Sequence, residues 1–330
     1  MKYCIITYGC QMNESDSERI AAALKKQGHK STKDVSRANL LVINACSVRQ
    51  SAIHRVYDLI HKFHKTKKII LTGCLLEADK KKMVGKVAEI WHPDRYFACS
   101  PLRENKTIAY VPIMTGCNNF CSYCVVPFTR GREKSRPAQD IIKEVKSLVK
   151  NGHREIMLLG QNVNSYSTKH ITYSNFPRLL RALCVIADDF KISLMTSHPK
   201  DMSDELIKTI KDCPKISRKI HLPVQSGDNK ILRVMNRKYT VAHYKNLIKK
   251  IRRAIPEAKI STDVIVGFPG ETKKQFQNTV KLFREICFSK AYVAKYSPRA
   301  GTAAAKLKDN IKPAEKKRRW RILDALANKK

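Results

Sequence analysis

The chain alternates short apolar runs with amphipathic stretches along nearly all of its 330 residues, and this alternation narrows the fold before any single residue is considered. Tyr3 to Tyr8 (YCIITY), Leu40 to Asn44 (LLVIN) and Lys68 to Thr72 (KIILT) read as strands separated by helical stretches. Strands joined through helices pair in parallel, because a parallel neighbour needs a long crossover. Ser15 to Glu18 reads as a capping box for a helix with Ile20, Ala23, Leu24 and Gln27 on one face and Gly28 beyond its end. From Lys106 onward the rhythm continues. Strands are expected at Ala109 to Met114, Glu155 to Leu159, Ile192 to Thr196, Lys219 to Pro223, Lys259 to Val266 and Ala291 to Tyr296. Helices are expected near Pro137 to Lys150, Pro177 to Asp188, Ser203 to Asp212, Val241 to Ala254 and Lys273 to Ile286. Right-handed crossovers curl six such units into a partial (β/α)6 barrel whose strand ends form one ligand-bearing face. The expected class is α/β, an open parallel sheet followed by this barrel.

Eleven cysteines punctuate the pattern. Cys10, Cys46 and Cys74 each follow one of the first three strands, and loops at the carboxyl ends of parallel strands open on one crevice. Convergence and chance burial of structural thiols are equal readings of that placement alone. The stretch Ile113 to Ser135 is more specific, because Cys117, Cys121 and Cys124 stand at C-x3-C-x2-C with Tyr123 just before the last. Three thiolates on one loop leave one iron of a [4Fe-4S] cube open, and an open coordination position is where a metal acts on a ligand. A zinc site draws on two C-x2-C pairs or on histidines, and no second pair follows within reach. An electron carrier saturates all four cluster positions, so the three-cysteine loop counts against one. Cys4, Cys99, Cys184, Cys213 and Cys287 read as buried or incidental thiols.

The polar turns Gly160-Gln161-Asn162, Ser197-His198-Pro199, Gln225-Ser226-Gly227 and Gly267 to Glu271 all follow barrel strands. Turn chemistry alone accounts for each, but their place beside the cysteine loop favours ligand contact for some. The formal charge is +37, from 65 Lys plus Arg against 28 Asp plus Glu. An excess of that size favours a polyanionic partner such as nucleic acid, with a lysine-rich solvated surface as the bland contribution. Arg130 and Arg132, next to the loop, are the candidate phosphate contacts. No apolar run approaches the roughly 20 residues that span a bilayer, and Tyr3 to Tyr8 is too short for a signal peptide. A soluble cytoplasmic protein without membrane contact is expected, its cysteines serving as metal ligands and buried thiols rather than disulfides. Pro313 to Lys330 reads as a docking helix with Trp320, Leu323 and Leu326 as its apolar stripe and Lys316, Lys317, Arg318, Arg319 and Arg321 as a basic face.

Longer strings carry a family resemblance. Thr7 to Glu14 (TYGCQMNE), Asn44 to Arg49 (NACSVR), Gly73-Cys74, Gly116 to Arg132 (GCNNFCSYCVVPFTRGR), Leu158 to Tyr166 (LLGQNVNSY), His221 to Gly227 (HLPVQSG) and Asp263 to Thr272 (DVIVGFPGET) resemble the methylthiotransferase family of radical S-adenosylmethionine enzymes over nearly the whole chain. The GCQMN and CSVR variants are more similar to the branch that modifies an adenosine of tRNA than to the branch that modifies a ribosomal protein. The resemblance implies two [4Fe-4S] clusters and S-adenosyl-L-methionine. Cys117, Cys121 and Cys124 would hold the radical-generating cluster, Tyr123 would pack on the adenine, and Gly160, Gln161, Asn162 and Gln225 are further candidate cofactor contacts. Cys10, Cys46 and Cys74 would hold an auxiliary cluster that supplies or carries sulfur, with no catalytic residue implied beyond the cluster ligands.

The implied architecture is a flavodoxin-like methylthiotransferase domain over residues 1–102 and a radical S-adenosylmethionine core over residues 103–330. The implied reaction adds a methylthio group to C2 of N6-isopentenyladenosine at position 37, in the anticodon loop of tRNA. An adenine C2–H bond is strong and unactivated, so no general base or ordinary protein nucleophile replaces that hydrogen, and a radical is required. A flavodoxin or ferredoxin is the expected electron donor, and a monomer the expected state. Alternatives within the family are threonylcarbamoyl-adenosine in tRNA and a ribosomal protein aspartate. Outside it stand an iron-sulfur electron carrier and an RNA-binding module. Family members normally end in a small RNA-binding β-barrel called TRAM, which is expected to be absent from this sequence, and the stretch between Cys74 and Cys117 is shorter than the family's usual linker.

Overall fold

The computed structural model describes residues 1–48 and 50–328. Arg49, which ends the NACSVR string, and Lys329 and Lys330, which end the expected terminal helix, lie outside the described residues. The first unit runs β1 (Lys2–Thr7), α1 (Gln11–Lys26), β2 (Lys30–Ser31), β3 (Leu40–Cys46), α2 (Gln50–Phe63), β4 (Lys68–Cys74), α3 (Glu77–Lys81), β5 (Glu89–Ile90) and α4 (Asp94–Phe97). Its strands lie in the order β2-β1-β3-β4-β5, all parallel. All seven residues of β3 are buried, as a continuous apolar run requires when both faces of a parallel strand are covered. Leu41 and Ile43 pack towards Ile53, Val56 and Ile60 of α2, whereas Leu40 and Val42 pack towards Ile20 and Leu24 of α1. The three expected strands are therefore present, and β2 and β5 add short edges of two residues each. The register sets Cys46 directly beside Cys74.

One expectation fails here. The helix after β1 starts at Gln11 rather than behind a cap at Ser15, with Cys10 at the cap position and the Asn13 and Glu14 N–H groups donating to its carbonyl. The S-x-x-E pattern lies inside the helix because Ser15 and Asp16 face inward and are fully buried.

The second unit begins with β6 (Ile108–Pro112). The chain then leaves the sheet, and β7 (Met114–Thr115) pairs antiparallel with β8 (Lys134–Ser135), closing the base of the cysteine loop around the short helix α5 (Val126–Thr129). The expected Ala109 to Met114 strand is thus two pieces. There follow α6 (Ala138–Lys150), β9 (Glu155–Leu159), α7 (Phe176–Cys184), β10 (Lys191–Leu194), α8 (Asp204–Asp212), β11 (Lys219–His221), α9 (Asn229–Val234), α10 (Val241–Ala254), β12 (Lys259–Val266), α11 (Lys273–Ile286), β13 (Lys290–Lys295) and α12 (Pro313–Asn328). Two three-stranded parallel sheets, β10-β9-β6 and β11-β12-β13, meet through a bridge between Ile192 and Ile216. That is the expected partial barrel of six strands, its core continuous from Ala109 to Leu323.

The terminal helix α12 departs from expectation. Leu323 is buried and Trp320 donates to the Val293 carbonyl, but Leu326 is exposed, while Lys316 and Arg319 of the supposed basic face are buried against Asp309 and Glu271. No helix among the described residues is long and apolar enough to cross a membrane.

Side chains span the joint between the units. Arg103 reaches Glu18 of α1 at 3.1 Å and Glu144 of α6 at 2.6 Å, and Arg299, after β13, reaches Asp79 of α3 at 3.1 Å.

Two glycines test how tightly the strand ends are built. Gly73 has φ +100°, and a Cβ there would overlap the Ala45 carbonyl and come within 2.5 Å of Asn44 Oδ1, whereas Gly28 has φ +79° with open space around it. Gly28→Ala is expected to cost about 1–2 kcal/mol, and Gly73→Ala roughly 2–5 kcal/mol as strain and overlap add. Urea denaturation of the two variants checks the difference, and equal costs would contradict the packing described.

Candidate functional site

The first cysteine triad is organised by Asn13, a fully buried side chain on the first turn of α1. Its Nδ2 donates to Asn44 Oδ1 at 3.0 Å and to the Ala45 carbonyl at 3.1 Å, and Asn44 Nδ2 returns a bond to the Asn13 carbonyl at 2.7 Å. Asn13 Oδ1 then accepts from two thiols, Cys10 Sγ at 3.7 Å and Cys74 Sγ at 4.0 Å. Cys46 closes the set, since its Cβ lies 3.1 Å from where a Cβ on Gly9 would stand. The structure thus brings the three strand-end cysteines onto one crevice, the convergence that sequence placement left open. Burial pushes the Cys74 thiol up to about 12, with Cys46 and Cys10 adding to the rise and Arg130 opposing it.

The second triad lies on a loop whose backbone is pinned by three hydrogen bonds from two other segments. Asn236 Nδ2 donates to the Phe120 carbonyl at 2.8 Å, Ser122 N–H donates to the Met235 carbonyl at 3.0 Å, and Ala304 N–H donates to the Ser122 carbonyl at 2.7 Å. At the loop base Cys117 N–H donates to the Gly131 carbonyl at 3.2 Å. Gly116, at φ +77°, is obligatory there because a Cβ would run into the Arg132 carbonyl. Burial raises the Cys117 thiol and pushes Cys124 up to about 12. Arg237, itself buried, donates to Cys121 Sγ at 3.5 Å, to the Pro223 carbonyl at 2.7 Å and to Tyr239 OH at 2.9 Å.

No disulfide joins the eleven cysteines. Among the described residues, no three His, Cys, Asp or Glu side chains gather closely enough for a single metal ion. A cube is larger and takes its thiolates at separate corners. A bound cation deprotonates the thiols that ligate it, and a donor set of three sulfurs per site fits iron-sulfur ligation.

The remaining predicted residues lie on the cysteine loop itself and on the turns that follow the barrel strands. Tyr123 is half-buried against Met235, Phe268 and Tyr296, with its phenol lifted well above the ordinary range by burial. Gly160 lies against Met114, where a Cβ would stand 2.5 Å from its Cγ. Asn162 Nδ2 donates to Asp201 at 2.7 Å, and three side-chain oxygens, Gln161 Oε1, Asn162 Oδ1 and Gln225 Oε1, are buried without a partner. Unpartnered buried acceptors are costly, and S-adenosylmethionine offers the ammonium and ribose hydroxyl donors that would satisfy them. His198, from the Ser197-His198-Pro199 turn, is pushed down to about 2 by burial and by Arg237 and Lys200, so it stays neutral. In the Gly267 to Glu271 turn Glu271 accepts from Gly267 N–H at 2.8 Å and from Arg319 at 2.7 Å, so this turn is built for structure.

The two candidate phosphate contacts separate. Arg132 is exposed, its guanidinium 4.3 Å over the Phe120 ring, and remains open to a phosphate. Arg130 is not: its side chain is buried against Asp16 and Cys74, so the expectation of phosphate contact fails there. Sequence reasoning also missed Asn13, Asn236 and Arg237. Asn13 stood inside a quoted string without a role, and neither Asn236 nor Arg237 carries any local signal.

Residues 111–283 match the model of the radical SAM superfamily, and residues 2–91 that of uncharacterized protein family UPF0004. A tRNA-2-methylthio-N(6)-dimethylallyladenosine synthase from Thermoanaerobacter pseudethanolicus is 42% identical over 99% of this chain and 78% of its own length. The protein of that name from Clostridium novyi is 40% identical over 99% of this chain and 81% of its own. Among solved structures, the radical S-adenosylmethionine methyltransferase TsrM from Kitasatospora setae superposes with a TM-score of 0.65 at 12% identity, covering 92% of this chain and 76% of that one. The cobalamin-dependent radical enzyme OxsB superposes at 0.59 and 10%, covering 99% and 55%; both are likenesses of fold. The cysteine loop on its six-strand barrel, the strand-end triad before it and these identities over 99% of the chain together show that the chain belongs to the methylthiotransferases of the radical S-adenosylmethionine superfamily, in the family of the tRNA-2-methylthio-N(6)-dimethylallyladenosine synthases.

Proposed function

We propose that the chain adds a methylthio group to C2 of N6-isopentenyladenosine at position 37 of tRNA, with two [4Fe-4S] clusters and S-adenosylmethionine as its cofactors. The observation that carries this reading is the pair of cysteine triads joined across one domain boundary by Arg130. When bound, the clusters and S-adenosylmethionine supply the radical chemistry, the sulfur and the methyl group that an unactivated C2–H bond demands.

The protein's own residues bind and orient. Cys117, Cys121 and Cys124 would hold the radical-generating cluster with one position open, and Cys10, Cys46 and Cys74 the auxiliary one. Tyr123 offers an aromatic wall for the adenine. Gln161, Asn162 and Gln225 present their unpartnered oxygens to the donors of S-adenosylmethionine, and Gly160 gives the backbone room beside Met114. Neutral His198 and buried Arg237 line the same end of the barrel. Arg132 and the basic surface would meet anticodon-loop phosphates, a contact favoured by the net charge of +37. A flavodoxin or ferredoxin would deliver electrons, and we place the working protein in the cytoplasm as a monomer.

Two outcomes follow. Anaerobically reconstituted protein, given tRNA bearing isopentenyladenosine at position 37, is expected to yield the methylthio nucleoside on mass spectrometry of the digested tRNA. Methylthiolation of a threonylcarbamoyl-adenosine tRNA or a ribosomal peptide, with this tRNA untouched, would reassign the branch. Substitution is also expected to separate two activities. Cys10→Ala, Cys46→Ala or Cys74→Ala should lower iron by one cluster and abolish methylthiolation yet leave reductive cleavage of S-adenosylmethionine, measured as deoxyadenosine. Cys117→Ala, Cys121→Ala or Cys124→Ala should abolish cleavage itself. Full iron content and full methylthiolation in Cys46→Ala would remove the auxiliary cluster from the account.

A further inference from the structure

Arg130 follows Cys124 by six residues, yet its side chain ends in the crevice of the other triad. Nε donates to Cys74 Sγ at 2.8 Å and Nη2 to Asp16 Oδ2 at 2.6 Å. The side chains of Arg130 and Asp16 are 2% and 0% exposed. Its backbone is as constrained as its head. Arg130 N–H caps α5 through the Val126 carbonyl at 2.8 Å, and Gly131 turns the chain back at φ +75° so that its carbonyl receives the Cys117 N–H. A shift of the radical loop therefore moves the guanidinium on the Cys74 sulfur. Two atoms of this pair, Arg130 Nη1 and Asp16 Oδ1, are buried with no partner in the protein. Burying a cation with an unused donor is costly unless an anion accompanies it. Asp16 is one such anion, and on the two-cluster reading a thiolate-held cube would be a second. Three thiolates on a doubly positive cube leave a net charge of about −1, and one-electron reduction takes it to about −2.

We propose that Arg130 couples the two cysteine triads: by donating to Cys74 from the loop that carries the radical site, it raises the reduction potential of the auxiliary cluster and fixes the register in which the two sites face each other. The proposal rests on the two-cluster reading above. Net charge and hydrogen bonds to sulfur set the potential of an iron-sulfur centre, and a guanidinium on a ligand sulfur acts through both. Asp16 opposes it, because a carboxylate next to that guanidinium disfavours the added electron. Arg130 is thus a positioning and tuning residue that acts through Cys74.

The test uses the full chain carrying Cys117→Ala, Cys121→Ala and Cys124→Ala, so that only the auxiliary cluster gives a signal. Its midpoint potential is followed by redox titration with electron paramagnetic resonance. Adding Arg130→Gln is expected to lower the potential by about 59 mV, a tenfold change in the one-electron equilibrium. Arg130→Lys should stay closer to the parent, and Asp16→Asn should raise the potential. Opposite signs for Arg130→Gln and Asp16→Asn identify a charge effect. Equal potentials, or shifts of one sign in both, would overturn the proposal, since loosened packing alone moves them together. Should Arg130→Gln fail to hold the cluster, hydrogen exchange on the metal-free full chain decides. Faster exchange in both the segment around Cys74 and residues 126–132 supports the link, and unchanged exchange in either overturns it. A parent variant that binds no cluster would instead contradict the two-cluster reading itself.

Discussion

Placing a guanidinium out of water beside a thiol and a carboxylate from another part of the chain is the costly step on which the arrangement depends. Removing one partner from a buried ion pair costs about 3–5 kcal/mol, because the other is left uncompensated. The Arg130–Asp16 pair therefore penalises any separation of the first sheet from the barrel, and Arg103 and Arg299 add two further ties across the same joint. The consequence is positional. Cys74 lies under the radical loop because the residue that neutralises Asp16 is part of that loop.

The same logic recurs at each sulfur-bearing loop. Arg237 reaches Cys121 from the turn after α9, and Arg299 reaches Asp79, which also accepts from Ser47, the neighbour of Cys46. One buried arginine thus lies on a sulfur of each triad before any metal is bound. Clusters held by thiolates become more negative on reduction, and a preorganised cation needs no rearrangement as that charge arrives. The barrel contributes the opposite polarity where a cationic cofactor would lie, in the unpartnered oxygens of Gln161, Asn162 and Gln225.

Much of this was legible in the residues. β3 and β4 read as strands because both faces are covered and the run is apolar throughout. β12 read as one because it alternates buried with half-buried positions along the barrel wall. The loop triad could be named from its spacing, whereas the strand-end triad was an even choice on placement alone and was named only from the family resemblance. The edges β2 and β5 could not, since two-residue strands carry no period. The true start of α1 was hidden for a related reason: Ser15 and Glu18 mimic a cap, while the residue at the cap is a cysteine whose side chain makes no capping bond. Buried arginines were the least legible class. Among 65 basic residues nothing local distinguishes Arg130 from Arg132, because the deciding carboxylate lies 114 residues away in the chain. Arg299 and Asp79 are separated by 220 residues.

The central claim of the proposal is that the chain holds two clusters close together, one on each cysteine triad, with residues from both units fixing their positions. Electron paramagnetic resonance of the fully reduced, anaerobically reconstituted chain tests it most directly, because two neighbouring paramagnets couple through space. The account predicts about eight irons per chain, four for each cube, and a spectrum broadened by spin–spin interaction that collapses to a single-cluster signal in Cys46→Ala. Iron for one cluster only, or a spectrum equal to the sum of two isolated centres, would contradict it.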